Sequence, residues 1–118
     1  MNIAVTPPHT VAQAIEAHRQ AIDIDESSFF NGGWPKSVAL ADRTGAAEIV
    51  AYLAMISAPC ATVEDVQLKL HYILNGSVGE RMKLVECLDY DEYGGVATLQ
   101  AFLHSLLLAA AAPEAQTP

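Results

Sequence analysis

The amino-acid sequence predicts an all-α fold, a compact bundle of four to five helices in a single domain. Three observations support this prediction. Apolar residues recur at helical spacing in several segments. No stretch of alternating apolar and polar residues bounded by turns favours a sheet. The 118 residues include 20 alanines, the residue with the highest helix propensity. A chain of this length forms one core, so we expect a single helical domain over residues 1–112 and a disordered tail over residues 113–118.

The first helix is expected to begin near Pro7 or Pro8 and to reach about Glu26. Its candidate caps are Thr6 and Thr10, and Thr10 has the spacing of a capping box with Gln13. Residues on one predicted face follow at helical spacing: Val11, Ile15, His18 and Ile22. Residues 27–35 contain glycines and a proline that predict a loop, and we expect its aromatic residues to fold back onto the core: Phe29, Phe30 and Trp34.

Two further helices are predicted in the middle of the chain. The second covers residues 44–57, with Ser37 as an earlier possible start, and ends before Pro59. Its predicted buried face consists of Ala46, Ile49, Val50, Leu53 and Ile56. The third helix begins after Thr62 and stops at Gly76. Its predicted apolar stripe consists of Val63, Val66, Leu70, Ile73 and Leu74.

The last third of the chain predicts a short helix, an acidic break and a long apolar helix. Residues 79–88 carry Met82, Val85 and Leu88 at spacings of three. Residues 89–95 are acidic and end in two glycines. The final helix shows a wide apolar face, which we expect to be buried: Val96, Leu99, Phe102, Leu103, Leu106, Leu107 and Ala110. Leu103 is therefore predicted to be a core residue, at which an aspartate would unfold the domain.

The charge of the chain argues against two classes of partner. Fourteen acidic residues against six basic ones give a formal net charge of −8. Nucleic acids and anionic membrane surfaces attract proteins through clustered lysine and arginine. The basic residues here are scattered and form no stripe. We therefore expect neither a nucleic acid nor a membrane as a partner.

Cysteine usage and the hydropathy pattern predict a cytoplasmic protein. Cys60 and Cys87 form neither a disulfide framework nor a Cys-x-x-Cys pair. Residues 1–10 lack the basic start and apolar stretch of a secretion signal. The apolar stretch over residues 96–112 is interrupted by polar residues and is shorter than the ~20 residues that cross a bilayer, so it predicts a buried helix.

The acidic segment admits two interpretations. Asp89, Asp91, Gly94 and Val96 occupy positions 1, 3, 6 and 8 of a twelve-residue calcium loop over residues 89–100, which makes Asp89 and Asp91 candidate metal ligands. Position 5 is a tyrosine and position 12 a glutamine, where oxygen ligands belong. The favoured interpretation is a solvated helix connection, and the alternative is a weak calcium-like site. Residues 23–27 repeat the Asp-x-Asp spacing without the turn glycine.

Few residues in the chain point to catalysis, and we assign no catalytic residue and no cofactor. The four histidines show no zinc-like spacing, and no phosphate-binding loop, dinucleotide fingerprint or serine-nucleophile motif occurs. Cys60 would be reactive if it were exposed, whereas Cys87 is expected to be a packing residue. His18 lies on an apolar stripe, which favours a satisfied core histidine, and Arg19 could pair with Glu16.

Several short motifs resemble a group of small uncharacterised alphaproteobacterial proteins. Residues 15–19 carry the Ile-x-Ala-His-Arg pattern of that group's first helix. Residues 58–62 are similar to its Pro-Ala-Thr-like linker, residues 69–72 to its Leu-(Arg/Lys)-Tyr-like stretch, and the final Leu-Leu-Ala-Ala helix also fits. The resemblance implies a helical protein of the bacterial cytoplasm and carries over no activity and no functional residue. It makes His18 and Arg19 the most suggestive polar pair.

The function expected from these observations is protein interaction. Apolar residues make up 52% of the chain, a surplus that a small domain does not hide completely. Self-association or a protein partner would cover the excess. We therefore predict a regulatory or accessory helical module that binds itself or another protein. The alternatives are an ion-binding module and a small enzyme, the latter with a polar pocket around His18.

Overall fold

The computed structural model describes residues 10–30, 33–79 and 82–107. Most of these residues form α-helices, so the prediction of an all-α domain is confirmed. The four α-helices are α1 Val11–Ser27, α2 Val38–Ser57, α3 Val63–Asn75 and α4 Val96–Ser105. Two short 3-10 helices, Leu84–Asp89 and Asp91–Tyr93, lie between α3 and α4. The predicted tail over residues 113–118 and the predicted start at Pro7 or Pro8 lie outside the described residues.

The helix starts follow the predicted capping residues. The Thr10 hydroxyl accepts from the Gln13 amide, and the Gln13 side chain accepts from the Thr10 amide, which completes the capping box of α1. Ser37 caps α2 by accepting from the Leu40 amide, so the earlier of the two possible starts is the observed one. Thr62 caps α3 in the same way, and α3 ends at Asn75. Local sequence chemistry is sufficient to place these boundaries.

Helices α1, α2 and α3 surround one core, and α4 closes it. Helix α1 packs against α2 and α3, whereas α4 packs against α2 and the first 3-10 helix. The largest fully buried apolar side chains come from three elements: Tyr52, Met55 and Ile56 of α2, Ile73 of α3 and Leu84 of the first 3-10 helix. Fully buried polar side chains lie among them, and they position the site described below.

The segment between α3 and the first 3-10 helix differs from the prediction. A helix was expected over residues 79–88, but Ser77–Val78 (β1) and Met82–Lys83 (β2) pair as a two-residue antiparallel ribbon. The helical part begins only at Leu84. The ribbon forms because the chain must reverse immediately after α3, and Gly79 turns it with a φ of +64°. The prediction of a helix from residue 79 and the expectation of no sheet are both wrong at this point.

The buried face of α2 differs from the predicted one. Val50 and Leu53 were expected in the core but are exposed, whereas Glu48 and Tyr52 are buried. Hydropathy selects valine and leucine for the interior, yet the buried face of α2 carries polar atoms that find partners on other helices. A similar exchange occurs in α3, where Leu74 is exposed and Lys69 is fully buried.

The buried face of α4 is also narrower than predicted. The wide face predicted to be buried is divided, because Phe102 is 5% exposed whereas Leu103 is 55% exposed. Val96 and Leu107 are also exposed, at 63% and 65%. Thr98 and Ser105 lie with Phe102 on the buried face. The assignment of Leu103 to the core is therefore wrong, and an aspartate there is not expected to unfold the domain. Ala110 lies outside the described residues.

The aromatic residues between α1 and α2 do not fold back onto the core as predicted. Trp34 is 76% exposed and Phe30 is also mainly exposed, while Phe29 is half-buried. The Phe30 amide donates to the Trp34 carbonyl at 2.7 Å, which holds the two aromatic residues in a tight turn. Of the described helices, none is both long and apolar enough to cross a membrane.

Candidate functional site

The centre of the molecule holds a hydrogen-bonded chain of four buried polar side chains. His18 Nδ1 lies 2.7 Å from the Tyr72 hydroxyl, and His18 Nε2 lies 2.6 Å from Glu48 Oε2. The Tyr93 hydroxyl donates to Glu48 Oε1 at 2.5 Å. His18 comes from α1, Glu48 from α2, Tyr72 from α3 and Tyr93 from the second 3-10 helix. We call these four residues the polar chain, and it joins four separate elements through side-chain contacts alone.

One assignment of protons satisfies every member of the polar chain. As a carboxylate, Glu48 accepts from the Tyr93 hydroxyl and from His18 Nε2–H. The other ring nitrogen of His18 then accepts from the Tyr72 hydroxyl. Burial raises the pKa of Tyr72 to about 12, although the nearby positive charge of Arg19 opposes this, so the hydroxyl keeps its proton at neutral pH.

Tyr52 packs inside the polar chain and fixes two of its rings. Its ring meets those of His18 and Tyr93 edge to face, at centroid distances of 5.4 and 4.8 Å. Its hydroxyl donates to the Leu84 carbonyl at 3.1 Å. Burial raises the pKa of Tyr52 above its ordinary value, so this hydroxyl also remains a donor. The rings of the polar chain are thus held both by packing and by hydrogen bonds.

Two surface grooves meet the ends of the polar chain. The first, about 530 Å³, lies between α1 and α3, and Tyr72 forms part of its wall. The second, about 490 Å³, lies beside α2 and the second 3-10 helix and is lined by Glu48 and Tyr93. His18 itself has no exposed surface, so a substrate in either groove cannot touch its ring. The polar pocket around His18 that a small enzyme would need is filled by the protein's own side chains.

The first groove contains an arginine that stacks on a tyrosine ring. The Arg19 guanidinium carbon lies 5.3 Å from the centre of the Tyr72 ring, a cation–π contact. The predicted pairing of Arg19 with Glu16 is not formed, and Glu16 instead accepts from Gln20. Among the described residues, Arg19 has no carboxylate within 4.0 Å. Its charge is therefore available in the groove.

A second buried polar group, Lys69, lies where α2 ends. Its ammonium donates to the Ile56 carbonyl at 2.9 Å, to the Ala58 carbonyl at 2.6 Å and to Ser105 Oγ at 2.8 Å. It thereby ties the last turn of α2 to the end of α4. Burial lowers the pKa of Lys69 to about 8. These contacts give Lys69 a structural role.

The candidate metal ligands lie on the surface, away from the polar chain. Asp89 ends the first 3-10 helix and Asp91 begins the second, and both are exposed. Gly94 has a φ of +99° and ends the second 3-10 helix, so the predicted glycine break is present. The described residues hold no group of three or more histidine, cysteine, aspartate or glutamate side chains that could bind a metal ion. The calcium-like site therefore gains no support and stays a hypothesis.

The two cysteines are buried packing residues in the described structure. Cys60 is 3% exposed and burial raises the pKa of its thiol, which disfavours the reactive thiolate. The Cys87 thiol lies 3.4 Å from the Met82 sulfur, in agreement with its predicted packing role. Neither thiol is in a disulfide. The geometry provides no exposed nucleophile at these positions.

Sequence reasoning identified His18 and Arg19 but missed Glu48, Tyr72 and Tyr93. His18 was expected to be a satisfied core histidine, and its two ring contacts agree with that interpretation. The spacing of Glu48 and Tyr52 was a signal that could have been used. Residues four positions apart lie on the same face of a helix, so a buried Tyr52 would have indicated that Glu48 is buried too. Pairing across 30 or more residues leaves no local pattern, so its partners could not be identified from the sequence.

The outward side of α4 is the second notable feature of the surface. Val96, Leu103 and Leu107 share one side of the helix, together with Gln100 and His104, and we call these five residues the α4 outer face. A shallow groove of about 370 Å³ lies between Gln100, His104 and the two leucines. Residues 94–107 contain no aspartate, glutamate, lysine or arginine.

Comparisons with protein-family models, curated proteins and solved structures found no match for this chain.

Proposed function

We propose that this chain is a protein-interaction module that binds a second copy of itself through the α4 outer face. The observation that supports the proposal most directly is the exposure of Val96, Leu103 and Leu107, at 63%, 55% and 65%, on one side of a short helix. Large apolar side chains grouped on one helix face favour burial against a partner. Each fully buried leucine contributes roughly 1.5–3 kcal/mol of transfer free energy.

The absence of charge on α4 permits a second copy as the occupant of this face. The chain carries a net charge of −8, so two copies repel each other over most of their surface. Among the described helices, α4 is the one without any charged residue. Two copies meeting through their α4 outer faces bring no carboxylates of this helix together. A twofold arrangement uses the same face on both copies, which is the commonest symmetry of oligomers.

Helix α2 can extend the contact. A stable interface buries at least about 1,000 Å², more than one ten-residue helix supplies. Helix α2 packs against α4, and the stretch over residues 49–63 also lacks charged residues. Val50 is 66% exposed in this stretch, and Leu53 is exposed beside it. These side chains would complete an interface between two copies.

The cellular setting that we propose follows from the same residues. The chain has only two cysteines, both buried, and no Cys-x-x-Cys pair, which supports a reducing compartment such as the cytoplasm. The excess of acidic residues supports a protein partner and argues against a nucleic acid. No described feature favours catalysis, since His18 is inaccessible and the two cysteines are buried.

Light scattering across a wide concentration range tests the proposal. We expect the mass to rise toward twice the 12.6 kDa of one chain between about 10 μM and 1 mM, the range in which a dimer with a Kd of about 100 μM forms. A mass that stays at one chain throughout would overturn self-association. If the chain stayed monomeric and bound a different protein, the proposal of self-association would likewise be overturned, and the partner would be that other protein.

A pair of leucine variants tests which face is used. Leu103→Glu places a carboxylate in the α4 outer face and should give a folded monomer, because Leu103 is exposed in the single chain. Leu74→Glu is the matched control, since Leu74 is 60% exposed on α3, away from α4. It should dimerise like the unmodified chain. Circular dichroism checks that both variants are folded. A dimer in Leu103→Glu, or a monomer in Leu74→Glu, would contradict the assignment of the interface.

A further inference from the structure

The groove between α1 and α3 has the features of a small ligand site, separate from the α4 outer face. Its volume of about 530 Å³ lies within the range of small-molecule sites. Ile15, Ile22 and Leu68 supply apolar lining from both helices. Arg19 lies in the same groove, and so do the polar side chains of His71 and Asn75. An apolar surface next to one fixed cation suits a ligand with a hydrocarbon part and a negative end.

Arg19 is exposed and lies against a tyrosine ring that the polar chain holds in place. Its guanidinium stacks over the Tyr72 ring at 5.3 Å. The position of Tyr72 is restrained, because its hydroxyl lies 2.7 Å from His18 Nδ1. The imidazole ring of His18 is in turn held by the contact of its Nε2 with Glu48. The polar chain thus fixes the surface on which Arg19 lies. An oriented guanidinium loses less conformational freedom on binding, and its paired N–H groups match a carboxylate.

The surrounding charges select the class of anion. Arg19 has no described carboxylate within 4.0 Å, so its charge is not already neutralised by an ion pair. Asp23 lines the same groove one helical turn away and repels a second negative charge on the ligand. The net charge of −8 acts in the same direction. A monoanion is therefore favoured over a dianion such as a phosphate ester.

We propose that the groove between α1 and α3 binds a small monocarboxylate with an apolar chain. The carboxylate lies against the Arg19 guanidinium, where two parallel N–H groups donate to its oxygens. The hydrocarbon part covers Ile22 and Leu68, which line the groove on α1 and α3. The positioning role of the polar chain is to keep Tyr72, and through it Arg19, in place.

An NMR titration of the full chain with hexanoate tests this proposal. Hexanoate should shift the backbone amides of Arg19, Leu68 and His71 in a saturable way, with a Kd of about 1 mM. The matched probe 1-hexanol has the same chain without the charge and should bind about tenfold more weakly. Absence of groove shifts with about 20 mM hexanoate, or equal binding of 1-hexanol, would overturn the proposal.

Variants and a second anion sharpen the result. Arg19→Gln should weaken hexanoate binding about tenfold, because it removes one charge-assisted contact. Arg43→Gln is the matched control, since Arg43 is exposed on α2 and does not line the groove. It should bind hexanoate unchanged, and an equal loss in both variants would contradict a specific role of Arg19. Tighter binding of hexyl phosphate than of hexanoate would overturn the preference for a monocarboxylate.

Discussion

The polar chain and the α4 outer face show opposite placements of polar and apolar side chains. The polar chain puts a histidine, a glutamate and two tyrosines in the interior, with His18 fully inaccessible. The α4 outer face leaves a valine and two leucines mainly exposed. Hydropathy alone predicts the reverse in both regions. The comparison teaches that burial in this protein is decided by which groups find partners, and less by the apolar character of each residue.

The physical reason differs between the two regions. Glu48 can be buried because two donors replace the water that it loses, and an unsatisfied group there would be costly. Leu103 remains outside because α4 already buries Phe102 and Ser105 on its other side, and a ten-residue helix cannot bury every side. A partner molecule is then the available means of covering the exposed side.

The largest effect is expected on breaking the polar chain. Glu48→Leu removes the carboxylate that accepts from His18 Nε2–H and from the Tyr93 hydroxyl, so we expect the free energy of unfolding to fall by about 3–5 kcal/mol. Urea denaturation measures this change. Glu64→Leu is the control, because Glu64 is exposed in the first turn of α3 and its loss should cost at most about 1 kcal/mol. Equal stability of the two variants would show that the polar chain is not a stabilising feature.

The next largest effect on stability is expected from Phe102 of α4, in contrast to its neighbour Leu103. Phe102→Ala removes a buried ring and should lower the free energy of unfolding by about 3 kcal/mol. Leu103→Ala should change it by less than about 0.5 kcal/mol, since Leu103 is exposed in the single chain. Thermal or urea unfolding at low protein concentration, where self-association does not contribute, makes the comparison. A large loss of unfolding free energy in Leu103→Ala under these conditions would show that Leu103 is a core residue.

The smallest effect concerns Lys69 and pH. Its pKa of about 8 lies below the ordinary value of 10.5, so the unfolded chain binds more protons between these values. The cost of burying the charged amine is present in full below about pH 8 and disappears as the pH rises. Stability should therefore increase by up to about 1 kcal/mol per pH unit above pH 8. The raised pKa values of Tyr72 and Tyr52 reverse this trend above about pH 10, where the unfolded tyrosines ionise.

The Lys69 measurement needs a background without the neighbouring thiol. Burial raises the pKa of the Cys60 thiol, so its contribution to stability falls as the pH rises and opposes the contribution of Lys69 over the same range. Urea denaturation of Cys60→Ala between about pH 7.5 and 9.5 isolates the contribution of Lys69. Adding Lys69→Met should remove the rise with pH. A flat or falling profile in Cys60→Ala itself would contradict a lowered pKa for Lys69.

Local signals in the sequence were sufficient for the capped starts of α1 and α3 and for one member of the site. The caps at Thr10 and Thr62 were predicted because they depend on residues only three positions apart. His18 was recognised because it interrupts an apolar stripe of α1. The aromatic residue Trp34 was misplaced, since no local rule distinguishes an exposed aromatic turn from a buried one. The pairing of β1 with β2 was missed because each of these strands has only two residues.

The sequence by itself determined the all-α class, the capped starts of α1 and α3 and the acidic charge of this protein, because each follows from composition or from neighbours within one or two helical turns. Only the tertiary structure decided which side of α2 and α4 is buried, and that Glu48, Tyr72 and Tyr93 meet at His18. These contacts join residues 30 to 54 positions apart, so each helix obtained its buried side from the partners that the others supplied. Packing and hydrogen bonding between distant segments select one arrangement from many that share the same local pattern.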